Sequence, residues 1–247
     1  MRRLSGEAVE RRARSRRYGF ARPLVNALGR RLTGAASAGA IMLCLALPSA
    51  AAAGAAAPPR ILAFGDSLTA GFGLAPEDTF PARLQAKLAA AGYQAEIING
   101  GVSGDTTAGG VARLDWALAD KPDYVLLELG ANDMLRGIDP KVTYANLDRI
   151  LTRVAASGAK TLLLGMKAVT NWGSDYQRAF DAIYPALAEK HHLAFYPFFL
   201  DGVAMQAGLN QEDGLHPNAA GVAILVDRIA PYVERLIGRS AAAGGGG

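Results

Sequence analysis

The chain has 247 residues and a formal charge of +4, from 26 basic and 22 acidic residues. Residues 1–33 hold ten of the basic residues, all arginine, against only Glu7 and Glu10, so the remainder carries 16 basic and 20 acidic residues, a net −4. That balance removes the electrostatic case for nucleic-acid binding, and the one cysteine, Cys44, excludes an intrachain disulfide or a cysteine metal cluster.

The arginine-rich start runs into an alanine-rich stretch over 36–57 that contains Ile41-Met42-Leu43-Cys44-Leu45-Ala46-Leu47. A basic region, an apolar run too short to span a bilayer comfortably, and then small residues make the pattern of a secretory signal. The alternative is an anchor that stays in place. We expect residues 1–57 to be a leader, 58–239 to form one domain and 240–247 to be a disordered low-complexity tail. Removal of the leader would give a periplasmic or secreted protein without a thiol.

Beyond residue 57, apolar runs alternate with amphipathic stretches. Ile61–Phe64, Ala95–Ile98, Tyr124–Leu129, Thr161–Leu164 and Leu193–Tyr196 read as strands. Between and after them, helices are expected over Thr79–Ala91, Thr107–Leu118, Tyr144–Ala156, Tyr176–Lys190 and Pro217–Ile237. Phe80, Leu84 and Leu88 recur every four residues on the first of these, and Val111, Leu114 and Leu118 mark one face of the second. Strict alternation of strand and helix predicts an α/β fold with a five-stranded parallel sheet covered on both faces. Sites in such sheets lie beyond the carboxyl ends of the strands, where strand order reverses.

Four loops then carry the chemistry. Gly65-Asp66-Ser67-Leu68 follows the first strand and presents a serine on a tight turn. Gly100-Gly101-Val102-Ser103-Gly104-Asp105 follows the second, Gly130-Ala131-Asn132-Asp133 the third, and Asp213-Gly214-Leu215-His216-Pro217 precedes the last helix. A serine needs a base and a polarised electrophile to act as a nucleophile. His216 can supply the base, with Asp213 three residues before it to fix the imidazole tautomer; the alternative is a local helix cap. Asn132 can aim a side-chain N–H at an oxyanion, together with the Ser67 and Gly104 backbone N–H groups; the alternative is a turn former. His191 and His192 end a helix, where positive charge is mildly favourable.

These segments resemble the SGNH branch of the GDSL hydrolases. Ser67, Gly104, Asn132 and His216 with Asp213 stand in the order of that family's blocks. Ser103-Gly104-Asp105-Thr106, Glu128-Leu129-Gly130-Ala131-Asn132-Asp133, Leu135-Arg136-Gly137 and Ala182-Ile183-Tyr184-Pro185 are similar to its bacterial periplasmic branch of acyl thioesterases, arylesterases and lysophospholipases. The resemblance covers roughly residues 60–238. It implies a three-layer α/β/α, flavodoxin-like sandwich and hydrolysis without metal or cofactor. Ser67, His216 and Asp213 would be catalytic, and Ser67, Gly104 and Asn132 would form the oxyanion hole. Asp105 and Asp133 are expected to brace their loops, and Thr170–Asp175, with Trp172, to set substrate preference.

The expected substrates are short to medium acyl esters, aryl esters and acyl thioesters, with transient contact with lipid substrates and no obligate protein partner. A carbohydrate O-acetylesterase and an acyltransferase are rivals on the same fold; Phe72, Leu74 and Trp172 lean against an open sugar groove. A non-catalytic binding protein is opposed by the complete set of site residues. No phosphate-binding loop follows the first strand, which removes a nucleotide-binding reading.

Overall fold

The computed structural model describes residues 57–238. The leader expected over 1–57 and the tail over 240–247 therefore lie outside the described residues, save for Ala57. Five strands form one sheet: β1 (Arg60–Gly65), β2 (Glu96–Gly101), β3 (Tyr124–Leu127), β4 (Lys160–Leu164) and β5 (Ala194–Tyr196). All neighbours are parallel, in the order β2-β1-β3-β4-β5. β1 and β3 are buried nearly throughout, as strands covered on both faces must be.

The helices are α1 (Ser67–Ala70), α2 (Phe80–Ala90), α3 (Thr107–Leu118), α4 (Ala131–Leu135), α5 (Pro140–Ala156), α6 (Ser174–Asp181), α7 (Ile183–Lys190) and α8 (Ala219–Ile237). α2 packs on α8, while α3 packs on α5 and α5 on α7, which gives a helical layer on each face of the sheet. The four-residue period of α2 does what its spacing demands: Phe80, Leu84 and Leu88 are all buried. Each such side chain stabilises the fold by roughly 1.5–3 kcal/mol. On α3 the buried stripe is Thr107, Gly110, Leu114 and Ala117, and the expected Val111 and Leu118 lie at its partly exposed margin. Gly110 lets the helix approach so closely that a Cβ there would meet Leu129 at 2.4 Å.

Several element boundaries differ from the sequence reading, among them β3, which ends at Leu127 rather than Leu129, and four of the shifts have a local reason. β2 runs on through Gly100 and Gly101, which pair with Phe64 and Gly65. α5 starts four residues early, because Asp139 accepts from the Lys141 N–H and Pro140 suits the first turn. The helix expected over Tyr176–Lys190 breaks at Ala182, since Pro185 has no N–H to give the Asp181 carbonyl. α8 starts at Ala219 under an Asn218 cap, while Pro217 bridges to Asn210.

Strand order reverses at β1: β2 lies on one side of it and β3 on the other. The loops after these three strands thus meet at one end of the sheet. At the opposite end, Arg60 N–H donates to Asp123 Oδ2 at 2.8 Å, and the Tyr124 hydroxyl reaches the Ile237 carbonyl at 3.5 Å. The first strand and the last helix therefore begin and end at that far pole.

Candidate active site

Ser67 stands where β1 gives way to α1. It is the first residue of that four-residue helix rather than part of a simple turn, and sequence periodicity cannot register an element so short. Asp66 caps the helix, its Oδ1 accepting from the Leu68 N–H at 3.0 Å. Gly71, at φ 83°, ends it. As a first-turn residue Ser67 has no intrahelical partner for its own N–H. Gly65 is glycine because β1 passes against Glu128 and Thr69: a Cβ would meet Thr69 Oγ1 at 2.1 Å, Glu128 Oε2 at 2.5 Å and the Glu128 carbonyl at 2.6 Å.

His216 reaches Ser67 from a loop 149 residues downstream, with Nε2 at 2.8 Å from Ser67 Oγ. Its Nδ1 lies 2.5 Å from Asp213 Oδ2, while Asp213 Oδ1 accepts from the backbone N–H groups of Leu215 at 2.9 Å and His216 at 3.0 Å. Donation from the His216 backbone and then from its ring holds the Asp213 carboxyl down at about 2. A carboxylate at Nδ1 requires the ring proton there, so Nε2 is free to accept from the serine hydroxyl. Gln211 N–H donates to the His216 carbonyl at 2.8 Å and closes the loop. The Phe72 ring lies over the imidazole at 4.7 Å between centroids.

Gly104 and Asn132 come to the same place from β2 and β3. Gly104 has φ 82°, and its carbonyl accepts from Arg136 Nη2 at 2.9 Å. Asn132 lies on α4, not in an open loop as the sequence suggested; Gly130 at φ 118° starts that one-turn helix directly off the strand. The Asn132 side chain donates from Nδ2 to Asp66 Oδ2 at 3.2 Å. Ser67, Gly104, Asn132 and His216 line one cleft of about 230 Å³ whose walls are mainly apolar, with Phe72, Leu135, Leu200 and Leu215 among them.

Asp133 and Asp105 are turned away from this cleft and tie elements together. Asp133 is buried and accepts from the Thr107 N–H at 2.8 Å, the Thr107 hydroxyl at 2.5 Å and the Thr143 hydroxyl at 3.2 Å. Asp105 pairs with Arg113 at 2.6 Å, and that guanidinium also donates to the Gly100 and Gly65 carbonyls, locking the ends of β2 and β1 together. Trp172 is not on the cleft wall: its indole donates to the Met134 carbonyl at 2.8 Å, and its ring lies against Gly137. Leu74 likewise packs on the core rather than on the cleft. His191 sits 2.6 Å from Asp148 at the end of α7, remote in role from the cleft. Among the described residues no group of three or more His, Cys, Asp or Glu side chains is placed to hold a metal ion.

Sequence reasoning missed two members of the site floor, Asp66 as a buried cap and Glu128. Both are fully buried. Their signal was present, since a charged residue at the end of an apolar strand is costly to bury without a reason.

A five-stranded parallel sheet that gathers serine, glycine, asparagine and histidine beyond its first three strands defines an SGNH-type hydrolase. The chain belongs to the GDSL-like Lipase/Acylhydrolase family, whose match spans residues 63–224. It is 42% identical to "Esterase TesA" of Pseudomonas aeruginosa, over 74% of this chain and 91% of that protein. It is 38% identical to "Thioesterase 1/protease 1/lysophospholipase L1" of Escherichia coli K12, over 74% of this chain and 87% of that protein. Among solved structures it is similar to AlinE4, an SGNH-hydrolase family esterase, with 46% identity and a TM-score of 0.62, covering 73% of this chain and 97% of that one.

Proposed function

We propose that this enzyme is an exported serine esterase in which Ser67 attacks the carbonyl of an acyl ester, aryl ester or acyl thioester. One observation carries the reading: the unbroken line from Ser67 Oγ through His216 to Asp213, at 2.8 and 2.5 Å. His216 takes the serine proton as the new C–O bond forms, and Asp213 stabilises the imidazolium. The carbonyl oxygen gains charge against the Ser67 N–H, the Gly104 N–H and the Asn132 amide. His216 then returns the proton to the departing alcohol, phenol or thiol. Water, deprotonated by the same imidazole, attacks the acyl-serine, releases the acid and restores the hydroxyl.

The apolar walls and the modest volume of the cleft suit a short to medium acyl chain rather than a sugar. The likeness to an esterase and to a thioesterase and lysophospholipase supports the same choice. The test is a fluorophosphonate probe combined with Ser67→Ala. One adduct on Ser67 and a loss of roughly three to six decades in kcat are expected. Labelling elsewhere, or an alanine variant near full activity, overturns the assignment. A panel of p-nitrophenyl esters from acetyl to palmitoyl, run beside acyl-CoA and lysophospholipid, then fixes the substrate range; an optimum among the longest chains would contradict the cleft volume.

A further inference from the structure

Two carboxyl groups lie side by side beneath Ser67. Asp66 ends β1 and Glu128 follows β3, and these strands are paired neighbours. Both side chains are fully buried. Asp66 already accepts at both oxygens, from the Leu68 N–H and from Asn132 Nδ2. Glu128 Oε2 accepts from the Thr69 hydroxyl at 2.8 Å and from the Asp66 N–H at 3.3 Å. Its other oxygen, Oε1, is buried and receives no donor. Glu128 thus reaches the Asp66 backbone from the neighbouring strand, and both carboxyl groups are out of reach of solvent.

Ionised carboxylates only accept hydrogen bonds, so two of them buried at neighbouring strand ends could not bond each other and would repel. One proton shared by the pair removes both problems. Oε1 is the oxygen with no donor to satisfy it, which makes it the natural seat of that proton.

We propose that Glu128 is a positioning residue held as the neutral acid, donating its Oε1 proton to the Asp66 carboxylate and so fixing the group that caps the Ser67 helix and orients the Asn132 amide. Asp66 is thereby kept ionised and acceptor-only. Asn132 must then turn its NH₂ group, not its carbonyl, toward Asp66, and the second N–H of that group is left for the cleft. A neutral Glu128 also spares Asp66 from repulsion while His216 carries positive charge during turnover.

The electrostatics agree in direction. Burial first, and then the Asp66 charge, pushes the Glu128 carboxyl well above the usual carboxylate range. Burial raises Asp66 as well, to about 6, with hydrogen bonds from Leu68 and Asn132 and the charge of His216 acting against it. The other titratable groups around the pair are Tyr184, whose hydroxyl donates to the Leu129 carbonyl, Asp133 on α4, and Arg113, held on the Gly65 and Gly100 carbonyls.

The catalytic consequence rests on the roles proposed above for Ser67 and Asn132, whereas the site of the proton does not. Infrared difference spectra of wild type against Glu128→Gln at neutral pH test the proton directly. A carboxylic-acid carbonyl band present in wild type and lost in the variant is expected; its absence from wild type overturns the proposal. Stability gives an independent sign. A folded-state value above 4.5 means the folded protein holds a proton that the unfolded chain releases, so this group makes wild type lose stability as pH rises above about 4.5. Glutamine has no such proton, so the melting temperature of Glu128→Gln minus that of wild type should grow with pH; a difference that shrinks overturns the proposal.

Kinetics test the positioning. Glu128→Gln keeps an N–H donor toward Asp66 and should retain kcat and KM near wild type. Glu128→Leu removes the donor and should lower kcat roughly ten- to a hundredfold with KM little changed, the scale of a misplaced catalytic group. A glutamine variant as damaged as the leucine variant, or a leucine variant with full kcat, refutes the positioning role. If Glu128→Leu does not fold, the infrared band and the glutamine variant still decide. Failure of a fluorophosphonate to label Ser67 would remove the nucleophile assignment while leaving the shared proton to stand or fall on its own band.

Discussion

At the scale of single residues, the site reduces to a few side chains whose partners dictate their chemistry. Asn132 donates one N–H to Asp66, and the proposed hole uses the other in the transition state. Asn132→Ala should therefore lower kcat by roughly two to three decades with little change in KM, as for one lost oxyanion donor. Asn132→Asp should be at least as damaging, because it sets a second carboxylate against Asp66 as well as against the developing oxyanion. A rise in KM alone for the alanine variant would make Asn132 a substrate-binding residue instead. Asp213 offers a test through pH. Its folded value is lowered from 3.8 to about 2, so its ionised form contributes stability that is present above pH 3.8 and lost as pH falls through about 2. The melting temperature of Asp213→Asn should lie below that of wild type above pH 4, and the gap should close toward pH 2. The side chain is about a third exposed, so the gap should be small. A gap that widens on acidification would contradict the hydrogen bonds drawn around Asp213.

At the scale of elements, what was legible in the sequence was whatever repeats over several turns or strand residues. All five strands and the large helices of both layers were found from apolar period and length. The one-turn helices α1 and α4 were not, although Ser67 and Asn132 sit on them, because neither contains a full period of anything. Their starts are instead set by single residues, the Asp66 cap and Gly130 at φ 118°. The break at Ala182 and the early start of α5 were written locally, in Pro185 and in Asp139-Pro140, and could have been read from capping rules. The five site candidates, Ser67, Gly104, Asn132, Asp213 and His216, were singled out because they stand in loops at strand ends or before the last helix, in the order of the family's blocks. Glu128 was passed over because its role depends on a neighbour 62 residues away. That tight approach of β1 and β3 makes its own prediction. Gly65→Ala would drive a Cβ into Thr69 and the Glu128 backbone, and should destabilise the protein by about 1–3 kcal/mol, as overpacking does, measurable by urea unfolding. Unchanged stability would mean the two strands can part at that point.

At the scale of the whole molecule, charge and chain ends matter more than the cleft. The +4 total conceals an acidic body behind a basic start, which leaves no electrostatic case for a nucleic-acid partner. If residues 1–57 act as a leader, N-terminal sequencing of the exported protein should begin between about Ala50 and Pro59, in the small-residue region such signals use. An intact start recovered in a membrane fraction would support an anchor instead. Stability of the body rests on two helical layers that share one sheet. Leu88→Ala, at a fully buried position on α2, should cost about 2–5 kcal/mol without altering the kcat of the folded fraction. A selective loss of kcat would show that the α2 layer couples to the site.

The meeting of Arg60, Asp123, Tyr124 and Ile237 at one pole fixes how this molecule can be held. Both directions in which the polypeptide leaves the described domain open away from Ser67. A bead or a fused protein joined directly at Ala57 or Gly238 would face the back of the sheet. Such a tether would leave the cleft turned outward, free to meet substrate arriving from solution. Capture through a side chain near Ser103 would do the reverse and seal the cleft against its support. The polarity of a parallel sheet, set by strand order alone, thus gives the enzyme a front and a back.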